Sequence, residues 1–153
     1  MAEQWLGIVV SGGQFNAVHL SINGTEAVIK NQFTWKLQTG DEAEAYFAIY
    51  ERVKDYVANN DIHNVVLKAS AVGKNTPTLA HLKSAELRGV ITAASVAGGA
   101  RTDLVQKGTI SRTFGARKVD EYIKDDSFWK GEYLEDLTKS RREAAILVLS
   151  QRS

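Results

Sequence analysis

The feature of this sequence that most constrains its fold is an apolar segment, NVVLKASA at Asn64 to Ala71, which lies between two helical patterns. It lacks the polar alternation of a strand with one face in water, and this is typical of a parallel strand covered by helices on both faces. Apolar residues at three- and four-residue spacing predict a helix before it, over Glu42 to Asn59. A second helix is predicted after it, from Pro77 to Ala97. The sequence therefore predicts an α/β fold with this segment as the central strand.

The first part of the chain predicts an antiparallel meander of three strands. Two β-rich runs between Trp5 and Ser21 are separated by Ser11-Gly12-Gly13, a composition suited to a tight turn. Asn23-Gly24 is a second turn signal of the same kind, and it leads into a third run over Glu26 to Leu37. Strands joined by such short turns pair antiparallel, so this region forms one side of the predicted sheet.

The remaining part of the chain, after Gly98-Gly99 ends the second helix, predicts one more strand and two more helices. In order, these are a strand over Arg101–Ile110, a loop over Ser111–Gly115, a short helix over Ala116–Lys124, an aromatic loop over Asp126–Tyr133 and a last helix over Glu135–Ser150. We therefore expect one domain over residues 1–153, with a mixed five-stranded sheet of three antiparallel strands and then two parallel ones, flanked by helices.

Composition and charge narrow the classes of function. With 19 basic and 18 acidic side chains the net charge is only +1, so any basic surface has to be local. The absence of cysteine excludes disulfides, thiolate catalysis and cysteine-ligated zinc. No signal-peptide pattern opens the chain, and no apolar run reaches the ~18 residues of a membrane span. We expect a cytoplasmic protein without a membrane partner.

Several short motifs resemble those of a known family. The relevant segments are Leu6-Gly7-Ile8, KSAELRGV at Lys83–Val90, ISRTFGARK at Ile110–Lys118 and REAAIL at Arg142–Leu147. Together with the order of the predicted elements, these segments resemble the ribonuclease H-like proteins, and among them the RuvC-type Holliday-junction resolvases. The resemblance implies a ribonuclease H-like fold and a protein that acts on branched DNA.

The same resemblance implies where catalytic carboxylates would stand. Those enzymes hydrolyse phosphodiesters with two divalent metals, which prefer carboxylate oxygens as ligands. The matching positions here are Val9 or Ser11 in the first strand, Lys68 or Ala69 at the end of the central strand, and Ser140 and Glu143 in the last helix. Only Glu143 is acidic, and a nearby lysine repels cations. We therefore expect a catalytically degenerate protein without a bound metal or other cofactor, and with Glu143 as its one retained acid.

A basic surface remains at the positions where a resolvase-like protein meets phosphates. We predict nucleic-acid contacts, with DNA favoured, from Lys68, Lys74, Arg112, Arg117, Lys118, Lys139, Arg141 and Arg142, and place Arg88 in the same group. Trp129 is the tryptophan that we expect on a binding surface. Ordinary solvated side chains are the alternative explanation for the basic residues.

Two further functions stay open from the sequence. The first is a divergent magnesium-dependent nuclease that uses Glu143 with acids such as Glu86, Asp103 or Asp120. The second is a structural protein that pairs with another protein through its helical face. The small apolar segment Gly89–Ala97 is a candidate for such a contact, including one between two copies of the chain.

Overall fold

A computed structural model describes residues 2–70 and 76–152 of the chain. The strands are β1 Glu3–Ser11, β2 Gln14–Asn23, β3 Glu26–Lys36, β4 Asn64–Lys68 and β5 Arg101–Val105. The helices are α1 Glu42–Asn59, α2 Leu79–Ala97, α3 Lys107–Phe114, α4 Val119–Lys124, α5 Asp126–Gly131 and α6 Lys139–Gln151.

The strands form a five-stranded mixed sheet in the order β3-β2-β1-β4-β5. The meander β1-β2-β3 is antiparallel, whereas β4 is parallel to β1, and β5 is parallel to β4. This arrangement confirms the predicted sheet. Because β1, β4 and β5 run in the same direction, their carboxyl ends meet at one edge of the sheet, which we call the carboxyl edge.

Helices cover both faces of the sheet. On one face, α1 and α2 bury Ile49, Val53, Leu87 and Ile91 against the sheet. On the other face, the apolar residues of α6 from Ala144 to Leu149 pack on the sheet, and α3, α4 and α5 add their apolar residues to the same core. The two cores explain why the middle of β4, Val65 to Leu67, is apolar.

The segment that follows α2 differs from the prediction of one long strand and a loop. The strand β5 ends at Val105, and the residues predicted as strand end and loop form α3 instead. The β-branched residues Thr109 and Ile110 favoured a strand in the sequence. Tertiary packing overrides that preference, because Ile110 is buried and Phe114, one turn later, packs on the same core.

Several predicted boundaries also need correction. The central strand ends at Lys68 rather than Ala71, which lies outside the described residues. The second helix starts after Pro77, because the hydroxyl of Thr78 accepts a hydrogen bond from the backbone N–H of His81 and caps the helix. The predicted aromatic loop contains α5, and the last helix begins at Lys139 after a turn.

A hydrogen-bonded histidine joins the sheet to α1 at the opposite edge from the carboxyl ends. His19 is buried, with Nδ1 2.8 Å from the Tyr56 hydroxyl and Nε2 2.7 Å from the amide oxygen of Gln4. Because that oxygen only accepts, Nε2 carries the proton and Nδ1 accepts from Tyr56. Burial, and then the positive charge of Lys30, lower the pKa of His19.

The stability of the protein is therefore expected to fall in mildly acidic solution. Below pH 6.5, the ordinary pKa of histidine, the unfolded chain binds a proton at this residue that the folded protein does not bind. The stability advantage of the wild type over His19→Gln should narrow between about pH 8 and about pH 5, as measured by urea unfolding. His63 and His81 are present in both proteins, so any effect of theirs cancels in the stability difference. A stability difference that stays the same between about pH 8 and about pH 5 would contradict this expectation.

Among residues 2–70 and 76–152, none of the helices has the length and apolar character needed to cross a membrane.

Candidate nucleic-acid interface

The candidate site lies at the carboxyl edge, where α6 crosses β1 and β4. The register pairs Ile8 of β1 with Leu67 of β4, so Val9 and Lys68 follow at neighbouring positions. Val9 is only 7% exposed and belongs to the core beneath α6. An apolar side chain thus occupies the first-strand position where the resemblance implies a carboxylate.

Lys68 and Glu143 form an ion pair across this edge. The Nζ atom of Lys68 lies 3.4 Å from Oε2 of Glu143, and the two side chains are 29% and 27% exposed. The lysine ammonium therefore balances the charge of this carboxylate, as a metal ion would do in a site built from several acids. The pair is partly shielded from solvent, so its charges are screened less than those of a surface pair.

Other acids do not complete a metal site. No three His, Cys, Asp or Glu side chains come together in the part of the chain that the structure describes. Glu86 accepts a hydrogen bond from Tyr46, Asp103 lies 3.4 Å from Arg101, and Asp120 lies 3.0 Å from Lys107. The acids named for a divergent nuclease are therefore not assembled with Glu143, and the residues at the carboxyl edge do not fit a two-metal centre.

Polar residues of β2 and β3 extend the site beyond what the sequence indicated. Arg141, in the first turn of α6, donates a hydrogen bond of 3.0 Å to the side-chain oxygen of Gln32. Asn16 accepts a hydrogen bond from Thr34, and these residues face each other in the β2–β3 register. Because Asn16 also pairs with Val9, these polar groups lie next to the candidate site. Only the strand register could have identified them.

The predicted basic residues occupy different positions. Lys68, Lys139 and Arg141 lie at the carboxyl edge or at the start of α6. The exposed Arg112, Arg117 and Lys118 belong to the α3–α4 region, which packs against α6. Lys74 lies outside the described residues.

Arg117 already has an internal partner. Its guanidinium lies 3.0 Å from Asp125 and 4.3 Å from the centre of the Tyr122 ring. The hydrogen bond from Arg117 is the main reason that the pKa of Asp125 lies below its ordinary value. A phosphate would have to compete with this carboxylate for Arg117.

Arg142 and Trp129 are buried. Arg142 is 5% exposed, and its guanidinium donates to the carbonyl oxygen of Ile123 at 3.0 Å and to Asp126 at 2.9 Å. Trp129 is fully buried and donates from its indole N–H to the carbonyl oxygen of Tyr122. The expectation of Trp129 on a binding surface was wrong, because α5 turns the ring into the core beside α6. We leave both residues out of the interface.

Comparison with solved structures identifies the class of fold. The structure of Thermus thermophilus RuvC is similar with a TM-score of 0.78 and 14% identity, covering 96% of this chain and 92% of that chain. T. thermophilus RuvC in complex with a Holliday junction substrate gives 0.74 and 12%, covering 96% and 91%. The fowlpox virus Holliday junction resolvase gives 0.54 and 11%, covering 96% of both chains. These similarities confirm the predicted ribonuclease H-like fold of the RuvC type.

No protein-family model matches the sequence, and the comparison with curated proteins also gave no match. At identities of 11–14%, the similarity to the solved structures defines the fold alone.

Proposed function

We propose that this chain, as one RuvC-like domain, binds nucleic acid at the carboxyl edge without hydrolysing it. The observation that carries the proposal is the Lys68–Glu143 ion pair, in which a lysine ammonium stands where the resemblance implies a metal-binding acid. Because Lys68 balances the charge of Glu143, a phosphate meets a neutral pair at this point, whereas a cluster of acids would need metal ions before a phosphate could approach. The RuvC structure with a Holliday junction substrate supports DNA as the favoured ligand.

The interface that we propose consists of Lys68, Lys139 and Arg141, with the polar side chains of Asn16 and Gln32 beside them. Lys139 is exposed, and Arg141 is held by Gln32, which is a neutral partner. Such donors recognise backbone phosphates and not base sequence. Binding should therefore depend strongly on salt and weakly on sequence, because each phosphate contact releases bound counterions.

The combined variant Lys139→Gln/Arg141→Gln is expected to bind labelled four-way-junction DNA about tenfold more weakly than the wild type at low salt. It should also reduce the slope of log affinity against log salt by about 1 to 2, since up to two phosphate contacts are lost. Fluorescence anisotropy with junction, duplex and single-stranded probes measures both quantities.

The matched control neutralises Arg101, at the amino end of β5, and Lys54, on α1, by the same changes to glutamine. This control should keep the wild-type affinity, because neither residue lies at the carboxyl edge. Equal losses in the two variants would show general electrostatic attraction and contradict the proposed interface.

The same titration, run with magnesium and followed by a check of the probe, tests the enzyme alternative. A cleaved probe, with cleavage abolished by Glu143→Gln, would replace this proposal by a divergent nuclease. No binding to any probe at low salt would rule out the nucleic-acid function.

A further inference from the structure

A second feature of the carboxyl edge is a cavity of about 320 Å³ on the face covered by α1 and α2. It lies between the ends of β1 and β4 and the first half of α2. Its apolar lining includes Val10, Leu82 and Ala85, and its polar lining includes Ser70, His81 and Arg88. The cavity is separate from the candidate interface, because the two lie on opposite faces of the sheet.

Arg88 is anchored in this cavity by neutral groups. Its Nε atom donates to the carbonyl oxygen of Lys68 at 3.0 Å, and a terminal nitrogen donates to the Ser70 hydroxyl at 2.5 Å. Among residues 2–70 and 76–152, no carboxylate forms an ion pair with it. Residues 71–75, AVGKN, contain a lysine and no acid. Arg88 is thus a half-buried cation without a counter-ion in the part of the chain that the structure describes.

The partial burial of Arg88 carries an energetic cost. Burial lowers its pKa, because the charged guanidinium loses part of its hydration. A buried charge is normally paired, and removing its partner is destabilising. A bound anion would supply the pairing that the described part of the chain does not provide.

The other polar groups of the cavity also offer hydrogen-bond donors. The Ser70 hydroxyl accepts from Arg88, so its own hydrogen is available to a ligand. The Nδ1 atom of His81 accepts from the backbone N–H of Thr78 at 3.3 Å, so in the neutral ring Nε2 carries the proton. A cavity with a cation and several donors, and with no acid among its described lining residues, favours an anionic ligand.

We propose that this cavity binds a nucleoside monophosphate unit, with the phosphate on Arg88 and Ser70 and the nucleoside against the apolar wall. A bare phosphate would leave the apolar wall and much of the volume unused, since sites of about 300 Å³ and larger bind organic ligands. The unit is either a free mononucleotide or the phosphorylated end of a nucleic-acid strand. The proposal is independent of the interface on the α6 face.

Calorimetric titration with AMP, adenosine and inorganic phosphate tests the ligand class. AMP should bind at least about tenfold more tightly than adenosine, which lacks the charge-assisted hydrogen bonds to Arg88. It should also bind more tightly than inorganic phosphate, which lacks the apolar contacts. No AMP binding, equal affinity for AMP and adenosine, or AMP binding no tighter than inorganic phosphate would overturn the proposal.

The variant Ala85→Glu tests the location. Ala85 is exposed, lines the cavity and precedes Arg88 by three residues on α2, so a carboxylate there can pair with Arg88 and repel the phosphate. AMP affinity should fall by about tenfold or more. Ala93→Glu is the matched control, because Ala93 is exposed on the same helix, outside this cavity. Equal AMP affinity in the two variants would overturn the location.

A competition experiment distinguishes the two sources of the nucleotide. A short single strand with a 5′-phosphate displaces AMP if the cavity takes a strand end, whereas a 5′-hydroxyl strand does not. If neither strand displaces AMP, the ligand is a free mononucleotide. Lys139→Gln/Arg141→Gln should retain AMP binding, so failure of the nucleic-acid interface and failure of this cavity can be told apart.

Discussion

Gly7→Ala is expected to lower the free energy of unfolding by about 3 kcal/mol. Gly7 lies in β1 directly beneath α6, and a Cβ atom there would stand 2.1 Å from the carbonyl oxygen of Ala144 and 3.1 Å from Cγ2 of Val148. The first of these is a backbone atom in a helix, so it cannot move aside like the end of a side chain. The added methyl group therefore has to push α6 away from the sheet.

The displacement would also disturb the candidate interface, because Glu143 precedes Ala144 on α6. We expect Gly7→Ala to reduce nucleic-acid binding together with stability. Urea unfolding monitored by tryptophan fluorescence measures the loss of stability. Gly89→Ala provides the control, since the Cβ position in this exposed part of α2 has no neighbour within 4 Å. That change should stabilise the protein by up to about 1 kcal/mol. A Gly7→Ala protein as stable as the wild type would show that α6 does not pack closely on β1.

The elements with local signals could be predicted from the sequence. The turns Ser11-Gly12-Gly13 and Asn23-Gly24 identified the meander, and the apolar periodicity gave α1 with the bounds Glu42–Asn59 that the structure shows. The helix α3 could not be predicted, because the β-branched Thr109 and Ile110 favour a strand and the helix is stabilised by packing of Ile110 in the core. Local preference decides the secondary structure of a segment that has few tertiary contacts, and packing decides it for a segment that has many.

In the candidate site, too, some features could be predicted from the sequence and others depend on tertiary contacts. The resemblance singled out Val9 or Ser11, Lys68 or Ala69, and Ser140 and Glu143. The structure adds that Val9 and Lys68 are neighbours at the carboxyl edge, and that Lys68 forms an ion pair with Glu143. The basic side chain of Arg142 predicted a position on the binding surface. In the structure it is buried against Trp129, and its charge is paired with Asp126. Basic character alone does not distinguish a phosphate ligand from a buried ion pair. The contribution of the exposed basic residues to binding stays a prediction, as does the single domain.

Lys68→Glu is expected to change the carboxyl edge from the proposed phosphate-binding surface into one that binds cations. The introduced carboxylate would face Glu143 in place of the ammonium that now lies 3.4 Å from it. Without divalent cations, repulsion between the two carboxylates should make this variant about 1 kcal/mol less stable than Lys68→Gln. Nucleic-acid affinity should fall by about tenfold or more, because a phosphate would then meet two negative charges.

Divalent cations should reverse the loss of stability. Millimolar Mg²⁺ or Mn²⁺ is expected to raise the unfolding temperature of Lys68→Glu, since an ion that binds only the folded state stabilises it. The wild type and Lys68→Gln should not respond, because one carboxylate is a poor ligand set for either ion. An equal response in all three proteins would show metal binding elsewhere, and would contradict the view that Lys68 takes the place of a cation at this edge. A response in Lys68→Glu alone would show that one charge at this position decides whether the edge binds a cation.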